Sequence, residues 1–316
     1  MFAVLIGGVY YAYREFSGFD VVKLDPKVIA LLLSSDSKEK ILEQLRGLLK
    51  NDPGKNTQKM IQKNQGKPAG GQSVSAPKKL AFKFALVADS HSENELLGKA
   101  LAQAREEKVE FIIGLGDYTE VGTLQELENA KEKLASSGIR YFVTAGDHDL
   151  WDSRNKGANS KVNFNKVFGL SVESFEHQNA KFIILDNSDN YLGVDETQMK
   201  WLDQEFAKMS QSQTNVRFVM LHEPLFHPSS ERVMGKVEPK LKDQAKDLIK
   251  KFKNTGVTEV FAGDIHFFTR YIEPGTKLQM TTIGAVASQR NTQNPRFGIV
   301  SVYEDGSYDV EDVEVK

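Results

Sequence analysis

The sequence contains no cysteine, so disulfides, thiolate metal sites and a cysteine nucleophile are all excluded. It also lacks an excess of either charge: 41 basic residues stand against 43 acidic ones, for a formal net charge of −2. That balance gives no electrostatic case for nucleic acid or an acidic surface as the main partner. Long hydrophobic runs are missing too. The opening stretch, MFAVLIGGVYYAY, is uncharged up to Arg14 but falls short of the roughly 20 apolar residues of a transmembrane helix. Histidine is scarce, with 6 in 316 residues. Any transition metal must therefore be held by carboxylate and imidazole, and the placement of each histidine becomes informative.

With 40% hydrophobic residues the chain can bury one large core, or a domain plus an appendage. The opening stretch has neither the basic flank nor the small-residue cleavage site of a secretory signal. It reads as the tail of an anchor, an interfacial helix or a strand, and a membrane anchor over 1–16 is the expectation. Asp25-Pro26 marks a helix start, and Asp36 with Glu39 has capping-box spacing before Leu42, Leu45 and Leu49. Short helices are thus expected within 17–50. Residues 51–79, rich in Gly, Pro, Gln, Asn, Ser and Lys, read as a flexible linker. Anchor, tether and folded domain together are the layout of a membrane-attached module. Arg14 is offset by Glu15, so charge leaves its orientation open; an extracytoplasmic domain is the placement expected.

From Leu80 to the C-terminus the texture is that of one folded domain, 80–316. LAFKFALVADSH, VEFIIGLGD and RYFVTAGDHD are buried-strand runs that end in Asp89, Asp117 and Asp147. Between them lie helical patterns, with Ser92/Glu95 and Thr123/Glu126 as expected capping pairs. The second half repeats the habit: NVRFVMLHEP ends in His222, and TEVFAGDIHFF ends in Asp264 and His266. Strands alternating with helices of ten to fifteen residues mean βαβ units and a largely parallel sheet, whose ligand site lies beyond the carboxyl ends of the strands. Asp89, His91, Asp117, Asp147, His148, His222, Asp264 and His266 all fall there. Any one of these aspartates alone is an ordinary turn residue. Together, carboxylates and imidazoles without thiolate suit a pair of divalent (or Fe) ions, drawn from Mn, Fe, Zn, Mg and Ca, that bind a phosphoryl oxygen and activate a water.

In order, DSH at 89–91, GD at 116–117, GDHD at 146–149, the lone His222 and GDIH at 263–266 resemble the calcineurin-like metallophosphoesterases, over about residues 80–300. The resemblance implies an α/β four-layer sandwich of two mixed sheets flanked by helices, here with an N-terminal helical and tether extension. It implies one metal on Asp89, His91, Asp117 and His266, and a second on Asp117, Asp147, His222 and Asp264, with Asp117 bridging. A bridging hydroxide would attack the phosphoester, and His148, oriented by Asp149, would protonate the leaving group.

Two blocks depart from that pattern: Asp147 stands where Asn is usual, and Asp264 where His is usual. A G-D-x-H ending does occur in relatives resembling alkaline phosphatase D. Four carboxylates against two divalent ions bring the site near neutrality, which weakens attraction for a phosphomonoester dianion and favours oxygen-loving ions. Loops following the third strand and His222 would form the rim, where Arg154, His227 and Arg232 are candidate contacts for substrate phosphate. Trp151 and Phe164 belong to pocket or loop core, and His177 to a hairpin remote from the metals. The expectation is a dinuclear metal-dependent phosphoesterase acting on a mono- or diester. The alternative is a non-catalytic or weakly active metal-binding module on the same fold, kept open by Asp147 and Asp264.

Overall fold

Strand β1 (Leu80–Val87) shows how the sequence builds the core. Phe82, Phe84 and Leu86 point to one side and Ala85 and Val87 to the other, and all are buried. A strand covered on both faces is what the near-continuous apolar run requires. The computed structural model describes residues 78–209, 214 and 216–316, and Lys78–Lys316 forms a compact unit. The expected anchor, the helices within 17–50 and the linker through residue 77 lie outside the described residues. Among the described residues no helix is long and apolar enough to cross a membrane.

There are two mixed sheets. In the first, β1 pairs in parallel with β2 (Phe111–Gly114), which pairs in parallel with β3 (Arg140–Val143). Strands β10 (Arg296–Tyr303) and β11 (Tyr308–Glu314) extend it on the other side of β1 as an antiparallel hairpin, giving the order β11-β10-β1-β2-β3. The second sheet contains β4 (Glu173–His177), β5 (Ala180–Ile184), β6 (Val216–Met220), β7 (Glu259–Ala262), β8 (Thr269–Ile272) and β9 (Gln279–Thr282). Its order is β4-β5-β6-β7-β9-β8; β5, β6, β7 and β9 run parallel, and β4 and β8 close the edges antiparallel.

The faces between the sheets share one phenylalanine-rich core: Phe82, Phe84 and Phe111 from the first meet Phe182, Phe218 and Phe261 from the second. Phe84 stacks on Phe111 at 5.3 Å and meets Phe182 edge-on at 5.2 Å. Each buried ring contributes about 1.5–3 kcal/mol by removal from water. Helices cover the outer faces. Leu97, Leu101 and Ala104 of α1 (Asn94–Glu106) and Leu127, Ala130 and Leu134 of α2 (Leu124–Ser136) pack on the first sheet. On the second, α5 (Glu196–Met209) brings Leu202 and Phe206, and α6 (Leu241–Asn254) brings Leu248, Ile249 and Phe252. The result is helices, sheet, sheet, helices.

Local details separate correct from incorrect expectations. Thr123 and Glu126 form the reciprocal capping box. Ser92 does not cap α1: the cap position is Glu93, and Ser92 Oγ donates instead to Glu126 Oε1 at 3.2 Å. Ser92 sits at φ 63°, inside the turn that presents His91, whereas a capping residue needs extended backbone. The expected rim loop after β3 is largely helical, with a 3-10 turn at His148–Leu150, α3 (Trp151–Asn155) and α4 (Val162–Phe168). Phe164 is its packing core and is fully buried.

Candidate metal centre

Five strands from both sheets deliver their C-terminal ends to one place. Asp89 and His91 follow β1, Asp117 follows β2, and Asp147, His148 and Asp149 follow β3. From the second sheet, His222 follows β6, and Asp264 and His266 follow β7. The turns are unusual. Asp89, His91, Asp117, Asp264 and His266 have φ of 54°, 40°, 55°, 66° and 66°, in the left-handed region. Each such residue costs on the order of 1–3 kcal/mol and persists where its surroundings over-determine it. Glycine makes the approach feasible: a Cβ on Gly146 would lie 2.1 Å from Asp117 Oδ1, and one on Gly116, itself at φ 96°, would lie 2.5 Å from Gly146 N.

Ligand-capable atoms of Asp89, His91, Asp117 and His266 all lie within 4.8 Å of one another, as do those of Asp147, His222 and Asp264. His91 Nε2 is 3.1 Å from His266 Nε2 and 3.8 Å from Asp117 Oδ2, and His266 Nε2 is 3.8 Å from Asp89 Oδ1. His222 Nε2 is 3.5 Å from Asp117 Oδ1 and 3.7 Å from Asp147 Oδ1, so Asp117 lies between the two groups. Backbone carbonyls set the rings: His222 Nδ1 donates to Leu115 O at 2.7 Å and His266 Nδ1 to Arg290 O at 3.2 Å. Both then face the cluster with an Nε2 lone pair, the arrangement of a metal-binding histidine whose other nitrogen is oriented.

The cluster fits cations. Asp117 Oδ2 and His222 Nε2 are buried with no hydrogen-bond partner, and an orphaned buried polar group costs about 1–3 kcal/mol. Burial pushes Asp89 up to about 7, and burial with the nearby carboxylates of Asp147 and Asp89 carries Asp117 well above the usual range. Burial, then His266 and His148, lowers His91 to about 2, and burial, then Arg232, lowers His266 to about 3. His222 goes the other way: burial is outweighed by Asp117 and Asp147, which carry it well above the usual imidazole range. Carboxylates raised at Asp89 and Asp117, and a buried His222 that leans on them for its charge, are relieved by divalent ions.

His148 sits beside this cluster. Its backbone N–H donates to Asp117 Oδ1 at 2.9 Å, its Nδ1 donates to Glu120 O at 2.7 Å, and its ring stacks on Trp151 with centroids 3.7 Å apart. Burial lowers its pKa. Orientation by Asp149 is a point that the structure corrects. Asp149 accepts from Thr119 N, Thr119 Oγ1 and Gly146 N at 3.1, 2.8 and 2.9 Å; it ties the loops together and leaves the imidazole to Glu120 and Trp151.

The three rim candidates have different fates. Arg232 Nη2 donates to Asp264 Oδ1 at 3.1 Å, and Asp264 in turn raises its pKa. Arg154 is held by Asp189 at 3.4 Å and by Asn190, whose Nδ2 donates to Asp147 Oδ2 at 3.3 Å. His227 is buried; its Nδ1 accepts from Ser229 N and Ser230 N, capping a turn, and its ring packs on Phe267 and Tyr271. His177 pairs with Glu110 in the β4–β5 hairpin. Sequence reasoning missed Arg290, whose Nη1 lies 3.2 Å from His148 Nε2, and Glu120, which holds Arg290 at 2.9 Å. It also missed Glu223, a buried carboxyl raised to about 8 by burial and then Asp264. Glu223 adjoins His222 and was the one with a visible signal.

Residues 82–268 match the calcineurin-like phosphoesterase family. The chain belongs to that family. No curated protein matches it. Among solved structures it is similar to purple acid phosphatase PPD1 from yellow lupin seeds, with TM-score 0.57 and 13% identity over 74% of this chain and 51% of that one. It is also similar to GAP50, described as the anchor in the inner membrane complex of Plasmodium, with TM-score 0.53 and 17% identity over 75% and 86% of the two chains. A protein from Thermus thermophilus matches with TM-score 0.50 and 10% identity over 74% and 99%. These likenesses are of fold, and this chain spans about half the length of the lupin enzyme.

Proposed function

We propose that the chain is a dinuclear metal-dependent phosphoesterase acting on a phosphomonoester or phosphodiester. The observation that carries this reading is Asp117, buried between two groups of ligand-capable side chains and 3.5 Å from His222. Asp89, His91, Asp117 and His266 would hold one ion, and Asp117, Asp147, His222 and Asp264 the other. When bound, two divalent ions supply Lewis acidity to the phosphoryl oxygen and lower the pKa of the attacking water. The rest belongs to the chain. Glu120 O and Trp151 hold the His148 ring by Nδ1 and by one face, which leaves Nε2 as the nitrogen that, once protonated, would pass a proton to the leaving oxygen. Arg232 steadies Asp264 and offers positive charge at the rim.

The alternative, a metal-binding module without catalysis, draws no support from the two unusual aspartates. Each has partners suited to a working ligand: Trp151 and Asn190 on Asp147, and Arg232 on Asp264. The test is hydrolysis of aryl phosphate mono- and diesters by protein stripped with chelator and then given Mn, Zn, Fe, Mg or Ca. The reading expects loss on stripping and return with at least one ion. Activity that survives complete stripping, or that no ion elicits, would overturn it.

A further inference from the structure

Arg290 lies in no motif, yet the fold fixes it at both ends. Its carbonyl orients His266, its Nη1 donates to His148 Nε2 at 3.2 Å, and its Nη2 donates to Glu120 Oε2 at 2.9 Å. Its φ is 56°, a conformation that a non-glycine residue keeps only when held there. The neighbouring loop does the holding. Ser288 N, Ser288 Oγ and Gln289 N donate to the Glu93 carboxylate at 2.8, 2.6 and 3.0 Å, and Asn291 Nδ2 donates to the carbonyls of Ala285 and Ala287 at 3.1 and 3.0 Å.

The hydrogen bonds of His148 define what Arg290 is doing. Nδ1 gives its proton to Glu120 O, so in the neutral ring Nε2 is a lone pair and Arg290 supplies the donor. The guanidinium therefore occupies the point from which Nε2 would face a leaving oxygen. Both groups can serve the reaction if the arginine donor passes to the substrate and the freed Nε2 takes a proton from solvent, the one it then gives to the leaving oxygen. An anionic phosphoryl oxygen is a stronger acceptor than a neutral imidazole, because charge-assisted hydrogen bonds are roughly twice as strong. Arginine suits the exchange: its planar fork carries five N–H donors, and its side chain is 48% exposed while Glu120 holds one corner.

We propose that Arg290 binds a non-bridging oxygen of the substrate's phosphoryl group at the His148 edge, with Glu120 as its positioning residue. This deepens the phosphoesterase reading and rests on it. The experiment is calorimetric binding of inorganic phosphate to the full chain loaded with Mn, with Mn content measured on every variant. Arg290→Ala should weaken phosphate binding about tenfold or more, the loss of one charge-assisted hydrogen bond. Arg290→Lys should lose less, and Mn content should not change. Glu120→Ala should lose less than Arg290→Ala, and the double variant should be no weaker than Arg290→Ala, since Glu120 acts through the arginine. Should Arg290→Ala disturb His266 and shed Mn, Arg290→Gln carries the same expectation.

Unchanged phosphate affinity in fully metallated Arg290→Ala and Arg290→Gln overturns the proposal and leaves the phosphoesterase reading standing. A loss seen only with esters whose leaving group is anionic, phosphate itself binding normally, overturns the phosphoryl assignment in favour of a leaving-group contact. Additive losses in the double variant overturn the role of Glu120. Mn-loaded wild type that neither binds phosphate nor hydrolyses any ester overturns both readings.

Discussion

The two halves of the cluster are built differently. Side chains of Asp89, His91, Asp117 and His266 are sealed, between 0% and 3% exposed, and each hangs from left-handed backbone at a strand end. In the other half Asp147 and Asp264 are 15% and 10% exposed, and side chains hold them: Trp151 and Asn190 on one, Arg232 on the other. The first half is fixed by the chain's path alone, whereas the second adds side-chain partners to a backbone that still sets Asp264, at φ 66°, and His222, held by Leu115 O. Both departures from the family pattern fall in the second half, where the surroundings can absorb them. The charge count changes as well. Four carboxylates alone would bring the two proposed divalent ions near neutrality, but Arg232 against Asp264 returns one positive charge. A dianionic monoester is therefore less disfavoured than the sequence alone implied.

The largest expected effect tests what the halves share. Asp117→Asn should cost more turnover than any other ligand change, exceeding the about 10–100-fold typical of losing an outer partner. Near-normal kcat in this variant would break the division into two halves joined at one carboxylate. Next comes His148→Ala, expected to lose about 10²–10⁴-fold for esters with poor leaving groups and much less for good ones. Equal losses across a leaving-group series would make His148 structural.

A third effect is confined to the second half. Arg232→Ala should lower the monoester-to-diester ratio of kcat/KM, and Asp264→His with Asp147→Asn should raise it. One unit charge about 5 Å away is worth roughly 3 kcal/mol at an effective dielectric near 20, and solvent at this half-exposed arginine reduces that to about tenfold in the ratio. Identical ratios in fully metallated variants would mean that the rim sets the preference instead. The smallest effect is a control at a residue that is not itself one of the cluster. Thr123→Ala removes the α2 capping box and should cost about 1 kcal/mol in denaturant unfolding with kcat unchanged. A fall in kcat there would show that α2 helps to position the cluster.

The βαβ units were legible because the strands are near-continuous apolar runs, β1 burying Phe82, Phe84 and Leu86 on one face and Ala85 and Val87 on the other, whereas the pairing of two sheets followed only from the family resemblance. The eight cluster residues were legible because topology sends parallel strand ends to one place. Helices α3 and α4 were not, since Trp151–Asn155 and Val162–Phe168 are too short for a periodic signal. Nor was Ser92, whose capping spacing was genuine but whose backbone was committed to the His91 turn. Arg290 was invisible because its partners, Glu120 and His148, lie 170 and 142 residues away in sequence, and nothing local marks the encounter.

The central claim is that one buried carboxylate joins a fixed half to an adjustable half. Metal stoichiometry by elemental analysis tests it most directly, on the wild-type chain and on Asp264→Asn after equilibration with Mn and removal of free ion. The account predicts two equivalents per chain in the wild type and one in Asp264→Asn, the ion of the sealed half being retained. One equivalent or none in the wild type, or two in Asp264→Asn, would contradict it.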